Sequence, residues 1–139
     1  MLVGATYRVD RGDEPDPIHD NLMADFGWAH LHAFERLLAA EEGIGLADMV
    51  GYGGDKPWHD IETPLRPMFD PDAFPDGKLP APECVPVYVR LNEILSAWYK
   101  GAYAGTAEPE MKSDQLATLD SMVRVIGACI ETGRALTVE

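Results

Sequence analysis

What this sequence is short of narrows its chemistry before any element is assigned. No apolar run approaches the ~20 residues that a helix needs to cross a bilayer. Only three serines are present, Ser96, Ser113 and Ser121. One reads as a helix cap and two fall on helices, so none offers the strand-to-helix elbow of a serine hydrolase. The two cysteines, Cys84 and Cys129, are too far apart for a zinc finger. The four histidines, His19, His30, His32 and His59, contain no His-x3-His pair. No metal or cofactor is implied. Basic residues are the scarcest charged class, with 11 Lys+Arg against 24 Asp+Glu and a net charge of −13. That charge repels phosphate backbones and anionic bilayers, which argues against direct nucleic-acid or membrane binding. The opening Met1–Thr6 stretch is apolar but short and lacks a basic flank and a cleavage site. The expectation is therefore a cytoplasmic chain with reduced cysteines.

What is there describes one folded domain over 1–139. The chain is 46% hydrophobic, near the globular average, which excludes wholesale disorder and supports a single core. The β-branched and aromatic run from Leu2 to Val9 predicts a strand, with Tyr7 and Val9 on one face. Arg11–Pro17 reads as a turn, and Asp16-Pro17 as the cap and first residue of a helix from Ile18 to Glu42. Apolar residues at Ile18, Leu22, Phe26, Ala29, Ala33 and Leu37 carry that period, and Gly43 is the stop. The clearest stripe comprises Cys84, Val87, Tyr88, Leu91, Ile94, Leu95, Trp98 and Ala102. It predicts a helix beginning near Pro82–Pro86, with Pro86 acceptable in the first turn. A further helix is predicted from Asp114 to Thr132, capped by Ser113 and closed by Gly133, before a short strand at Ala135–Val138. Pairing the two terminal strands gives an α+β domain: three principal helices on a small sheet made from the N- and C-terminal strands. An all-α bundle is the alternative. If the last two helices form an antiparallel hairpin, Cys84 and Cys129 come close enough to pair.

Between residues 51 and 82, prolines at 57, 64, 67, 71, 75, 80 and 82 forbid a sustained helix or sheet. Tyr52, Trp58, Leu65, Met68, Phe69, Phe74 and Leu79 give this stretch more large apolar groups than a disordered linker carries. It reads as a long ordered loop pinned to the core, of a kind that is often functional. The glycines of Gly51-Tyr52-Gly53-Gly54 lack the flanking strand and helix that a phosphate cradle needs, since Lys56 is followed at once by Pro57 and Trp58. Asp70-Pro-Asp72 lacks the ligand spacing of a calcium loop.

No motif is specific enough to name a family, so function is argued from charge and elimination. The leading expectation is a small acidic protein-binding domain, an immunity or inhibitor protein that neutralises a basic partner. Its contact residues would be Asp10, Asp13, Glu14 and Asp16, together with Tyr52, Trp58, His59, Asp60 and Glu62 on the loop. Two alternatives accompany it: a small-molecule-binding protein or small enzyme with a pocket near His59, and a structural homo-oligomer. Trp58 has a plainer reading as a core anchor. His30 reads as a hydrogen-bonded, partly buried histidine, and His32 and Glu35 share a helix face without by themselves making a site.

Overall fold

The computed structural model describes residues 4–10, 23–70, 73–74, 77–102 and 109–138. Strand β1 (Gly4–Val9) pairs antiparallel with β2 (Met23–Gly27) on one side and with β4 (Leu136–Val138) on the other, and β4 pairs with β3 (Lys78–Leu79). The sheet order is β2-β1-β4-β3. The helices are α1 (Trp28–Glu41), a single turn α2 (Arg66–Phe69), α3 (Ala81–Tyr99) and α4 (Pro109–Thr132). This is an α+β fold, and the two terminal strands pair as expected. Among the described residues no helix is long and apolar enough to cross a membrane.

The sheet is one-sided, and its register states why. Tyr7 sits opposite Ala24 and Val138, while Leu136 sits opposite Val9 and Leu79. Directly opposed residues of an antiparallel pair share a face, so these side chains form one apolar layer under the helices. The other face carries Thr6 opposite Asp25, joined by a side-chain hydrogen bond, and Thr137 opposite Arg8 and Lys78. Helices α3 and α4 pack closely: a Cβ added at Gly127 of α4 would come within 2.9 Å of the Tyr88 ring of α3. The absent side chain lets the ring lie against the α4 backbone.

Four sequence expectations need correction. The helix predicted from Ile18 is a strand at Met23–Gly27, which packs Ala24 and Phe26 inward and turns Met23 and Asp25 outward. Phe26 satisfies both a four-residue and a two-residue period, and pairing with β1 decides between them. The cap and first residue expected at Asp16-Pro17 lie outside the described residues. Helix α4 starts at Pro109 rather than after Ser113, with proline in the first position, where its missing N–H costs nothing. Pro86 stands beyond the first turn of α3, where it leaves one carbonyl without its usual partner. Lys78-Leu79, read as loop, completes the sheet edge.

Cys84 of α3 and Cys129 of α4 do meet, as free buried thiols. The Cys84 thiol donates to the Leu79 carbonyl at 3.8 Å and the Cys129 thiol to the Ala135 carbonyl at 3.5 Å. The neighbouring Cys84 sulfur and burial together push Cys129 far above the usual thiol range, so it keeps its proton. Gly43 and Gly133 take positive φ at the ends of α1 and α4, as expected of helix stops.

The described residues of the 51–82 segment are anchored to the core. Trp58 stacks on Phe69 with ring centroids 5.5 Å apart, and its indole N–H donates to the Val50 carbonyl at 2.9 Å. Leu65, Met68, Phe69 and Leu79 are buried. At the acidic end of α1, where carboxylates oppose the helix dipole, Glu42 pairs with Arg90 of α3 and accepts from Thr63 of the loop. Glu41 accepts from the Trp98 indole at 2.6 Å. The glycine-rich turn has a structural purpose: a Cβ at Gly54 would stand 2.0 Å from the Asp48 carbonyl carbon. Any side chain there must push the turn off the backbone it rests on. Gly54→Ala is expected to cost on the order of 2 kcal/mol in urea unfolding; a variant as stable as the parent would contradict this seating of the loop.

Candidate functional site

The site is built where α1 meets this loop and the end of the sheet. A cleft of about 360 Å³ opens there, lined by Tyr7 of β1, Leu31, His32 and Glu35 of α1, Tyr52, Met68, Phe69, Asp70 and Phe74 of the loop, and Val138 of β4. Its walls are mostly apolar and aromatic, and five polar side chains converge on it. Such a combination is the usual anatomy of a small-molecule site. A larger hollow of about 600 Å³ lies on the far side of Asp70, lined by Pro64, Pro67, Pro82 and Pro86 among others. It has no buried titratable group beyond the shared Asp70, whose carboxylate is held at 3.1 Å by Arg66.

Glu35 is the centre of the cleft. It is 7% exposed, an unusual place for a carboxylate. Burial raises its pKa from an ordinary 4.5 to about 7. The Tyr52 hydroxyl hydrogen-bonds its Oε2, and His32 Nδ1 lies 3.7 Å from its Oε1. Tyr7, pushed up to about 12 by burial and then by the charge on Glu35, stays a neutral phenol. The Tyr52 hydroxyl also lies 3.4 Å from the Phe69 carbonyl. That second acceptor matters. When Glu35 is ionised, Tyr52 donates to it; when Glu35 is protonated, it can donate to the Tyr52 oxygen while the phenol proton turns to Phe69. The pair is satisfied in either state, so the carboxyl can gain or lose a proton without breaking the wall.

The residues singled out from sequence are scattered relative to this cleft. Tyr52 lines it. Trp58 lies beneath the loop as an anchor, 4% exposed, with the Tyr52 ring against its edge. His59 projects into solvent with its side chain 73% exposed, 3.5 Å from Asp60, and lies outside the cleft. Glu62 is exposed. Asp10 is half-buried and pairs with Lys78 at 3.2 Å. Asp13, Glu14 and Asp16 lie outside the described residues. His30 accepts or donates at 2.7 Å to Thr118 and meets the edge of Phe26, a structural histidine as expected. No group of three or more His, Cys, Asp or Glu among the described residues could hold a metal.

Glu35 itself was missed as a site, although a signal existed. Leu31, Glu35 and Leu38 follow i, i+4, i+7 spacing, so the acid occupies a core position of an amphipathic helix. Its partner Tyr52 stands 17 residues away in a loop, and no local spacing connects the two.

A carboxyl whose pKa is raised on folding stabilises the fold relatively below its unfolded value, and that contribution is lost as pH rises through its folded value. Glu35 therefore subtracts stability progressively between pH 4.5 and 7, by on the order of 3 kcal/mol at most. Glu35→Gln is expected to unfold several degrees higher than the parent at pH 8, with the gap closing by pH 4.5. Parallel melting curves from pH 4.5 to 8 would expose a misassignment. No protein-family model, curated protein or solved structure matches the chain, so the reading of this cleft rests on its own geometry.

Proposed function

We propose that the protein binds a small molecule in the Glu35 cleft, as a ligand-binding protein or a small enzyme. The observation that supports this most is Glu35 itself: a buried carboxyl that titrates near neutrality, at the base of an aromatic-walled cleft. A purely structural role gives no reason for an acid, since the uncharged amide would keep the Tyr52 hydrogen bond without the burial penalty. If the site catalyses, Glu35 is the group placed to take or give a proton, because a general acid–base works best with a pKa near the working pH. Tyr7 and Tyr52 would orient the ligand through their hydroxyls. Ligand-observed NMR against a set of fragments should give hits that the bulky substitution Val138→Trp, in the cleft wall, abolishes. Hits indifferent to Val138→Trp, or none at millimolar concentration, would count against the proposal.

A second reading keeps the acidic protein-docking domain. Asp55, Asp60 and Glu62 are all exposed on the loop, and the whole chain carries −13. A basic partner would be steered to that edge, with affinity falling steeply as salt rises. The triple change Asp55→Lys, Asp60→Lys, Glu62→Lys should remove at least tenfold in affinity for any partner retained at low salt. A partner held equally by the variant, or at high salt, would rule out the electrostatic edge. A homo-oligomer built on an apolar helix face would be favoured by Trp28 and Trp98 turned away from the core, but Trp98 is 1% exposed within it. The side chain of the other, Trp28, lies outside those described.

A further inference from the structure

We infer that the Glu35 cleft selects a compact organic ammonium ion, a primary or secondary amine on an apolar or aromatic body, with Glu35 as its counter-ion. This rests on reading the cleft as a ligand site and specifies what that ligand is. The inference follows from the signs of the charges and the nature of the walls. Among the described residues, two carboxyl groups line the cleft, Glu35 and Asp70, and no lysine or arginine does. Asp70 already has Arg66 at 3.1 Å, so the charge left to face a ligand is that of Glu35. The imidazole of His32, 3.7 Å away, is more than half exposed and lies on the same helix. Four aromatic rings, Tyr7, Tyr52, Phe69 and Phe74, complete the walls. A ring face and a carboxylate attract the same ligand, a cation with a hydrocarbon body. The net charge of −13 acts in the same direction at longer range and disfavours anions.

The amine also has a proton consequence. Glu35 is about half protonated at pH 7, and an ammonium ion binds the ionised form. Binding must therefore expel a proton, and affinity should rise about tenfold between pH 6 and pH 8. A neutral ligand held by the protonated carboxyl would show the reverse slope. The groups that face Glu35 are His32 from α1, Tyr7 from β1, and Tyr52 and the Arg66-paired Asp70 from the loop. Of these, His32 is the one whose side chain can carry a positive charge, and His32→Gln separates its contribution.

The test uses the full chain with benzylamine, benzyl alcohol and benzoate as probes. Calorimetry at pH 6, 7 and 8, in two buffers of different ionisation enthalpy, reads affinity and proton release together. Amide shifts locate the site. Expected are benzylamine shifts at Leu31, Glu35 and Tyr52, at least tenfold preference over benzyl alcohol, proton release at pH 7, and no binding of benzoate. His32→Gln should retain the pH slope and Glu35→Gln should abolish it. The proton release is measured on the parent and so does not depend on the behaviour of either variant. Benzyl alcohol bound in the cleft as tightly as benzylamine would overturn the ammonium preference and leave the ligand site standing. Failure of all three probes to shift cleft residues would overturn both.

Discussion

The hydrogen bond from Tyr52 to Glu35 is the contact on which the shape of this molecule turns. It joins a helix whose carboxyl is buried to a loop whose regular structure is confined to short turns and a two-residue strand. Without the loop, Glu35 would be solvated and ordinary. Without Glu35, the Tyr52 hydroxyl would retain only its longer approach to the Phe69 carbonyl. The stacked pair of Trp58 and Phe69 beneath it supplies apolar burial, and Glu42 with Arg90 and Thr63 fastens the far end of the same helix. The cleft is the space these attachments leave open.

This arrangement explains how the described residues of so proline-rich a stretch are attached to the core. Each proline gives up a backbone donor and prevents a regular ladder, so the segment depends on side chains for its attachment. Its single helical turn and two-residue strand bring Met68, Phe69 and Leu79 into the common core. Fixed φ angles also reduce what the unfolded chain loses on ordering. A loop held this way presents rigid walls, which suits recognition better than a flexible flap would.

The fold was legible where burial is periodic and local. The α3 stripe, the helix stops at Gly43 and Gly133, and the pairing of terminal strands all follow from patterns a few residues long. The anchoring of the 51–82 loop was legible from composition, since Trp58 and Phe69 have nowhere else to go. Met23–Gly27 was misread because Phe26 fits either period, and the deciding contact is made by β1 at a distance in sequence. The site was less legible still. Tyr52 and the exposed His59 belong to one local cluster of aromatic, basic and acidic residues, yet the fold sends them to different surroundings. Glu35 was seen only as a neighbour of His32, because burial of an acid depends on what covers it, and the cover comes from Tyr52, Met68, Phe69 and Phe74.

The burial of Glu35 also bears on what kind of site this is. Keeping an acid in that position lowers stability at neutral pH, whereas the nearby acids of α1 are compensated: Glu42 by Arg90 and Glu41 by the Trp98 indole. Among the described residues, Glu35 has hydrogen-bonding company but no fixed cation beyond an exposed imidazole. A buried charge with an open approach on one side is completed by whatever cation enters from that side. The stability deficit and the proposed ligand preference are then two consequences of one omission, the missing positive charge beside Glu35, and a bound ammonium ion would remove both.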